Sequence, residues 1–182
     1  MFITFIAFLI VQRIAELLHA KRNEQWMKAR GAFEVGKNHY KFIVLMHSLF
    51  FLSLIIEVIL FEKGISAYFS FFLVLFILTQ IARVWTIRSL GKYWNTKIII
   101  LPNKIAVSKG PYNYVRHPNY VIVVVEILVI PLLFNAFFTA LVFSILNMIA
   151  LTIRISAEER ALMSRTNYRD VQKSKPRFIP IK

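Results

Sequence analysis

Apolar runs of about 20 residues dominate this chain, and runs of that length are typical of helices that cross a hydrocarbon core roughly 30 Å thick. Only helices or closed barrels satisfy their backbone polar groups in lipid, and these runs lack the two-residue alternation of barrel strands. The sequence therefore predicts an all-α integral membrane protein with about five transmembrane helices. The short turn around Asn135 predicts that the last two form an antiparallel hairpin. The spans are expected at residues 2–20, 42–61, 68–87, 118–134 and 136–155.

The positive charges are concentrated in three of the segments between and after these spans, whereas Lys63 is the only basic residue in the two other loops. Cytosolic loops carry the excess of lysine and arginine in membrane proteins. The bias therefore predicts a multi-pass protein of the cytoplasmic (inner) membrane with its C-terminus in the cytosol. The residues concerned are Lys21, Arg22, Lys28, Arg30, Lys37, Lys41, Arg88, Lys92, Lys97, Lys104, Lys109, Arg116, Arg160, Arg165, Arg169, Lys173, Lys175, Arg177 and Lys182.

Composition excludes several classes of site. The net charge of +14 follows from this topology, so no nucleic-acid partner is expected, and the basic segments should instead attract anionic lipid headgroups. The absence of cysteine excludes disulfides, thiolate metal sites and cysteine nucleophiles. No Lys or Arg precedes the first apolar run, so the first helix is expected to stay in the mature protein. Residues 1–182 are expected to form a single transmembrane domain.

Several charged residues are expected within the apolar spans, where each is costly unless it is paired or hydrated. Arg13 and Glu16 are three residues apart, so they share a helix face and can pair. Glu57 lies near the outer end of its span and is expected to reach lipid headgroups. Arg83 and Glu126 are compatible either with interhelical pairing or with a functional site, and the same alternatives apply to the first pair.

The densest group of polar and aromatic residues lies just before the fourth span, in the sequence GPYNYVRHPNY over residues 110–120. Pro118 suits the first turn of a helix, because a missing N–H costs nothing there. His117 would then occupy the cap position, beside unpaired backbone N–H groups that favour anions. An interfacial aromatic belt and a Gly-Pro turn are an equally good explanation of the tyrosines. These tyrosines are Tyr112, Tyr114 and Tyr120.

A second polar group follows the fifth span, in the sequence RISAEER over residues 154–160. Arg154 and Glu158 are four residues apart and share a helix face, whereas Glu159 and Arg160 are expected to point elsewhere. The hairpin makes the last two spans neighbours, and their cytosolic ends lie on the same side of the membrane, so the two groups can line one cofactor pocket formed by cytosolic loops and the C-terminal tail. Ordinary solvated charges on a helix that leaves the membrane are the alternative.

Motifs of soluble enzymes are missing from the sequence. The chain has no Gly-rich phosphate loop and no alternation of strands and helices, which excludes a Rossmann methyltransferase. It has no HExxH motif, and its four histidines are scattered, so no metal site is expected. Asp170 is the sole aspartate, which leaves Ser-His-Asp catalysis without support.

At the two polar groups the sequence resembles the isoprenylcysteine carboxyl methyltransferase family. The RHPxY motif is short, but it becomes specific when an RI…EE segment follows it one hairpin later. The resemblance covers roughly residues 83–180 and implies a membrane-embedded O-methyltransferase that uses S-adenosylmethionine (SAM). The similar residues are Gly110, Pro111, Tyr112, Arg116, His117, Pro118, Asn119, Tyr120, Arg154, Ile155, Glu158, Glu159, Leu162, Tyr168 and the end from Arg177 to Pro180.

Carried over by position, the resemblance implies a cofactor site and an acceptor site. Arg154 matches the arginine that the family directs toward the acceptor, and we assign it and Glu158 as catalytic residues. Glu126 is a further candidate for the acceptor site. Glu158 would bind the amino group of SAM, and tyrosine faces would attract its sulfonium. His117, Arg116 or the backbone N–H groups of the fourth helix would hold its carboxylate. The cofactor-binding residues are expected to be Lys104, Ile105, Ala106, Val107, Tyr112, Arg116, His117, Pro118, Tyr120 and Glu158.

The acceptor is expected to be lipophilic and to enter from the bilayer. The chain looks like small prokaryotic members of the family, which generally meet no prenylated cysteines, so carboxylates, phenols and isoprenylcysteine-like molecules all stay possible. The segment RSLGKYWN over residues 88–95 and the intramembrane Glu126 resemble bacterial relatives linked to long-chain phenolic polyketides such as alkylpyrones and alkylresorcinols. A nicotinamide-dependent membrane lipid reductase and a small transporter are the alternatives. Transporter sites usually lie near the midplane, whereas these polar groups lie at the cytosolic ends.

Overall fold

The computed structural model describes residues 1–172 and 174–178, which form a helical bundle. Pro180, which belongs to the family resemblance, and Lys173 and Lys182, which belong to the charge bias, lie outside the described residues. Single turns of 3-10 helix occur at Gly91–Tyr93 and Gly110–Asn113. The helices are α1 (Phe2–Lys28), α2 (Lys37–Leu60), α3 (Phe69–Leu90), α4 (Pro118–Leu132), α5 (Phe137–Arg165) and α6 (Tyr168–Gln172).

Among the described residues, four helices, α1, α2, α3 and α5, are long and apolar enough to cross a membrane, so the chain is a largely helical membrane protein. The fourth expected span is shorter than the others. Its helix α4 has 15 residues, which rise about 22 Å at 1.5 Å per residue. Pro131 lies in its last turn, and Asn135 has a φ of 53° in the connection to α5, a left-handed conformation that asparagine tolerates.

A small strand pair joins two of the basic segments. Strand β1 (Phe33–Val35) pairs antiparallel with β2 (Ile98–Ile100), and the Asn103 N–H donates to the Arg165 carbonyl oxygen over 3.0 Å. The loop after α1, the loop after α3 and the end of α5 therefore lie together, at what we call the basic end of the bundle. The all-α prediction did not include these strands, because three-residue strands show too little periodicity to be detected.

The opposite end of the bundle is held by backbone contacts between its two loops. The Ser66 N–H donates to the Leu133 carbonyl oxygen over 3.0 Å. Glu57 is buried, and its carboxylate accepts hydrogen bonds from the backbone N–H groups of Phe138 and Thr139, at 3.1 and 2.7 Å. The expectation that Glu57 reaches lipid headgroups is therefore wrong. Its carboxylate instead satisfies N–H groups at the start of α5, which have no partner within that helix.

The apolar core fills the half of the bundle opposite the basic end. Buried Leu9, Leu54, Phe76, Ile130 and Leu133 come from α1, α2, α3, α4 and the turn after α4. Many other apolar side chains point outward, as expected for helices that face lipid. The space that this core does not fill lies toward the basic end, where the candidate site is found.

Candidate functional site

Two cavities meet at the basic end. The first, which we call the loop cavity, lies among the α3–α4 loop, the end of α5 and α6. The second, the helix cavity, lies among α1, α2, α4 and α5. The volume of the loop cavity is about 170 Å³, and that of the helix cavity is about 350 Å³. Residues that line both cavities are Trp94, Asn95, Asn119, Tyr120 and Arg154.

A hydrogen-bonded chain of three side chains lies at the boundary between the cavities. Arg154 Nε donates to the Tyr120 hydroxyl oxygen over 2.9 Å, and that hydroxyl donates to Glu158. Arg154 Nη2 donates to the Thr96 carbonyl oxygen over 2.6 Å. Arg154 Nη1 has no hydrogen-bond partner within the described part of the chain. The two N–H groups of Nη1 and the second N–H group of Nη2 are therefore the donors of this buried guanidinium that are left for a ligand at the boundary.

Glu159 lies at the centre of a second cluster, beside the start of α4. Its carboxylate is buried and lies 3.0 Å from His117 Nε2, 3.2 Å from Arg116 Nη1 and 2.7 Å from Arg177 Nη2. The hydrogen bond and the negative charge of Glu159 raise the pKa of Arg177. The expectation that Glu159 points away from the site is therefore wrong, whereas Arg160 is exposed on the surface.

The physical reason is that Glu159 continues the buried stripe of α5. It follows Leu151 and Ile155 at four-residue intervals, and both of those apolar residues are buried. That spacing was the signal in the sequence that could have placed Glu159 inside. The cluster also fastens the tail over the start of α4, because the His117 N–H donates to the Arg177 carbonyl oxygen over 3.1 Å.

Most of the residues expected to bind the cofactor line the loop cavity. Pro118 does not, because it begins α4 and is buried in the bundle. Tyr114, which was named only as part of the aromatic group before the fourth span, has a side chain that is 60% exposed and does not line the cavity. Burial, together with the nearby charge of Glu158, raises the pKa of Tyr112, so its hydroxyl stays protonated and can donate. The residues that do line the cavity are Lys104, Ile105, Ala106, Val107, Tyr112, Arg116, His117, Tyr120 and Glu158.

Four further residues of the loop cavity each have a buried polar atom without a partner among the described residues: Trp94 Nε1, Asn119 Oδ1, Tyr168 Oη and Gln172 Oε1. Buried polar atoms are normally hydrogen-bonded, so this set of donors and acceptors fits a polar ligand such as SAM. Gln172 is held in place because its Nε2 donates to the Val107 carbonyl oxygen over 2.9 Å. None of these four was predicted as a site residue from the sequence. Tyr168 and Gln172 are four residues apart on α6, so they share one face of that helix. This spacing is the feature of the sequence that could have placed the two residues together.

Four of the charged residues of the spans form one network beside the helix cavity, in which Arg83 and Glu126 are buried and Arg13 and Glu16 are partly buried. Glu126 accepts hydrogen bonds from Arg13 Nη2 at 2.6 Å, from Gln80 Nε2 at 2.7 Å and from Arg83 Nε at 2.9 Å. Arg83 Nη2 also donates to Glu126. Glu16 accepts from Arg13 at 2.7 Å and from Arg83 at 3.2 Å. Both carboxylates are therefore engaged by arginines of neighbouring helices, although Glu126 also lines the helix cavity.

Comparison with known proteins places this arrangement among methyltransferases. The profile of the isoprenylcysteine carboxyl methyltransferase (ICMT) family matches residues 71–164, which contain the start of α4 and most of α5. The uncharacterized protein YpbQ of Bacillus subtilis (strain 168) is 50% identical over 162 residues, or 89% of this chain and 96% of that protein. An uncharacterized protein of Haemophilus influenzae (strain ATCC 51907 / DSM 11121 / KW20 / Rd) is 30% identical over 161 residues, 88% of this chain and 93% of its own length.

Proposed function

This chain belongs to the isoprenylcysteine carboxyl methyltransferase family, and from that premise we propose that it transfers a methyl group from SAM to an oxygen atom of a lipophilic acceptor. The observation that carries the proposal is the position of Arg154 at the boundary of the two cavities. A cofactor in the loop cavity and an acceptor in the helix cavity would meet at this side chain.

The residues of the loop cavity suit a ligand with charges of both signs. SAM, when bound, supplies an electrophilic methyl group on a sulfonium sulfur. Glu158 Oε1 has no partner among the described residues, so we assign it to the amino group. Arg116 Nη2 is likewise unengaged in the described structure, so Arg116, with His117 beside it, is assigned to the carboxylate. The ring of Tyr112 provides a π face for the sulfonium.

The helix cavity suits an apolar molecule with a polar head. Its walls include the apolar residues Ile43, Val44, Phe51 and Val123, and the boundary residue Arg154 offers Nη1 to an acceptor oxygen. Such a site aligns the two reactants and keeps water out, which are the main contributions that a protein makes to this kind of transfer. Carboxylates and phenolic hydroxyls fit this description, as do alkylpyrone-, alkylresorcinol- and isoprenylcysteine-like molecules.

The proposal includes a membrane topology. We place five spans in the cytoplasmic membrane, with α4 and α5 as an antiparallel hairpin and residues 1–182 as one domain. The basic end then faces the cytosol, which supplies SAM, and anionic headgroups contact its lysines and arginines. The acceptor enters the helix cavity sideways from the bilayer.

Calorimetric titration of the detergent-purified protein with SAM tests the proposal. We expect wild-type protein to bind, and we expect Glu158→Ala and His117→Ala to lose at least 10-fold in affinity, or about 1.4 kcal/mol. Arg160→Ala is the matched control, because Arg160 lies on the same helix but is exposed. A wild-type protein that binds neither SAM nor its demethylated product would overturn the proposal and favour a lipid reductase or a small transporter.

A further inference from the structure

Helix α1 holds the chain between α3 and β2, residues 91–97, which we call the α3–β2 connection. Asn23 is buried on α1, and its Nδ2 donates to the Trp94 carbonyl oxygen over 2.7 Å and to the Gly91 carbonyl oxygen over 3.2 Å. An asparagine amide carries two N–H groups, so both of them are used on this connection. The Trp94 ring also stacks on His19 of α1, with 5.7 Å between the ring centroids.

The end of the α3–β2 connection is attached to the same helix. Asn95 Nδ2 donates to the Ala20 carbonyl oxygen over 3.1 Å, and Lys97 Nζ forms an ion pair with Glu24 at 3.0 Å. The Lys97 N–H donates to Asn95 Oδ1 over 3.1 Å, so the side chain of Asn95 joins the two attachments. These contacts lie on both sides of Thr96, and α1 therefore fixes the backbone before and after that residue.

Thr96 is the point at which the α3–β2 connection contacts the boundary of the two cavities. Its carbonyl oxygen accepts a hydrogen bond from Arg154 Nη2 over 2.6 Å. The Tyr120 hydroxyl binds Nε of the same guanidinium, so Thr96 provides one of the two contacts that orient this planar group. A displaced Thr96 carbonyl would leave Arg154 attached to Tyr120 alone and free to tilt about that bond.

From these contacts, and resting on the proposed methyl transfer, we infer that Asn23 is a positioning residue, which fixes the α3–β2 connection so that Thr96 orients Arg154 toward the acceptor. Asn23 lines neither cavity, so its effect on the reaction passes through the backbone of residues 94–96. No role was predicted for Asn23 from the sequence, and it lies before residue 71, where the family profile begins. Helix α1 thereby becomes part of the arrangement that aligns the two reactants.

A purely structural role for Asn23 would have a different kinetic consequence. An amide that only packs α1 against the connection would, when removed, lower the fraction of folded protein, and that loss would be the same whichever residue stands at position 154. A positioning residue acts through Arg154, so its removal should cost little once the guanidinium has been replaced. The effects of the two substitutions multiply in the first case and do not multiply in the second.

A double-mutant cycle tests the inference. Asn23→Leu keeps a branched side chain of similar size but donates no hydrogen bond, and Arg154→Lys keeps the positive charge without the planar fork. Rates are measured with labelled SAM and with dodecanoate or 4-dodecylphenol, whichever acceptor the wild-type protein methylates. We expect Asn23→Leu to lower kcat/KM about 10- to 100-fold in the wild-type background and less than about 3-fold in Arg154→Lys. Equal factors in the two backgrounds overturn the inference.

Two further variants complete the cycle. Gln25→Ala is the matched control, because Gln25 carries an amide on the same helix but is exposed, and it should keep wild-type kcat/KM. Asn23→Ser is a milder change, since a hydroxyl can donate one of the two hydrogen bonds. We expect it to lower kcat/KM about 3- to 10-fold, again only while Arg154 is present. It provides the same comparison if Asn23→Leu does not fold.

A second measurement does not depend on turnover. In NMR spectra of protein labelled with ¹⁵N at arginine, the Nη2 hydrogen of Arg154 that binds Thr96 should exchange slowly with water. The signal is assigned by its loss in Arg154→Lys. We expect Asn23→Leu to speed this exchange at least about 10-fold and Gln25→Ala to leave it unchanged. An exchange rate that Asn23→Leu does not alter overturns the inference.

The failure of the inference and of the proposed function can be told apart. If wild-type protein binds SAM and methylates an acceptor, but Asn23→Leu does so at the same rate, only the role of Asn23 is wrong. If wild-type protein fails to bind SAM at all, the proposed function is wrong and the inference is overturned with it.

Discussion

Arg154 donates a hydrogen bond from Nε to the hydroxyl oxygen of Tyr120 over 2.9 Å, with its guanidinium carbon 5.7 Å from the centre of the Tyr120 ring. The same hydroxyl donates to Glu158, so a residue proposed for the acceptor and one proposed for the cofactor are joined through a third. Tyr120 belongs to α4, and the two residues that it joins belong to α5. The packing of these two helices therefore fixes the relative position of the two ligands.

Tyr120→Phe tests this link while keeping the ring. The substitution leaves Arg154 Nε without its partner in a buried position, which typically costs about 1–3 kcal/mol. We expect kcat/KM for methyl transfer to fall about 5- to 100-fold, as measured by steady-state kinetics with labelled SAM. Tyr114→Phe is the matched control, since Tyr114 is exposed and should keep wild-type activity. Equal activity of the two variants would show that the link does not align the reactants.

Features that depend on local pattern could be predicted from the sequence. The long apolar runs identify the helices, because a spanning helix must be continuously apolar over its length. The family assignment was also accessible, since RHPxY and the RI…EE segment are each short, continuous motifs in the sequence. The positions of the helix ends were harder to predict. Helix α1 continues to Lys28 rather than ending near residue 20, because the helix does not stop where the apolar run stops: polar residues continue it outside the lipid.

Features that depend on contacts between distant residues could not be predicted. Glu57 is 81 residues from the backbone N–H of Phe138 that it binds, and nothing near it in the chain marks that contact. The pairing of β1 with β2 also joins segments that are far apart in the sequence. Glu159 was misplaced because it does not share the helix face of Arg154 and Glu158, and that spacing does not show that the tail returns to cover it.

Glu159→Gln is expected to loosen the tail. The substitution removes the negative charge that contacts His117, Arg116 and Arg177, and breaking a buried ion pair typically costs about 3–5 kcal/mol. We expect a lower thermal unfolding temperature and faster trypsin cleavage at the end of the chain, as followed by mass spectrometry. Arg160→Gln, on the exposed face of the same helix, should change neither quantity. Unchanged cleavage in Glu159→Gln would mean that other contacts hold the tail.

The network of Arg83 and Glu126 is expected to contribute to packing rather than to acceptor binding, because both carboxylate oxygens of Glu126 are engaged by neighbouring helices. Removal of one partner leaves an uncompensated buried charge. We therefore expect Arg83→Met to lower the free energy of unfolding by about 3–5 kcal/mol, as measured by denaturant titration in detergent.

The double variant Arg83→Met/Glu126→Met should recover much of that loss, since a buried ion pair can often be replaced by apolar residues at little cost. Its kcat/KM should stay within about 5-fold of wild type, or about 1 kcal/mol. A stable double variant that has lost methyl transfer would instead assign Glu126 to the acceptor site.

Glu57→Gln is expected to destabilise the bundle without affecting the site. The amide can accept only one of the two backbone hydrogen bonds at the start of α5, so one of the N–H groups of Phe138 and Thr139 loses its partner. We expect a loss of about 1–3 kcal/mol in the free energy of unfolding. The affinity for SAM should be unchanged, because Glu57 lies at the end of the bundle opposite the loop cavity. Glu62→Gln, on an exposed loop residue nearby, is the control.

The topology can be tested by labelling single cysteines, since the chain has none of its own. Lys109→Cys places a thiol at the basic end, and Lys63→Cys places one in the loop at the opposite end. Three basic segments lie at the same end, so the charge bias acts in one direction and the basic end should face the cytosol. A membrane-impermeant maleimide added to intact cells should therefore label Lys63→Cys and leave Lys109→Cys unlabelled until the cells are opened. The reverse pattern would place the loop cavity outside the cell, away from the cytosolic supply of SAM, and would contradict the proposed function as well as the orientation.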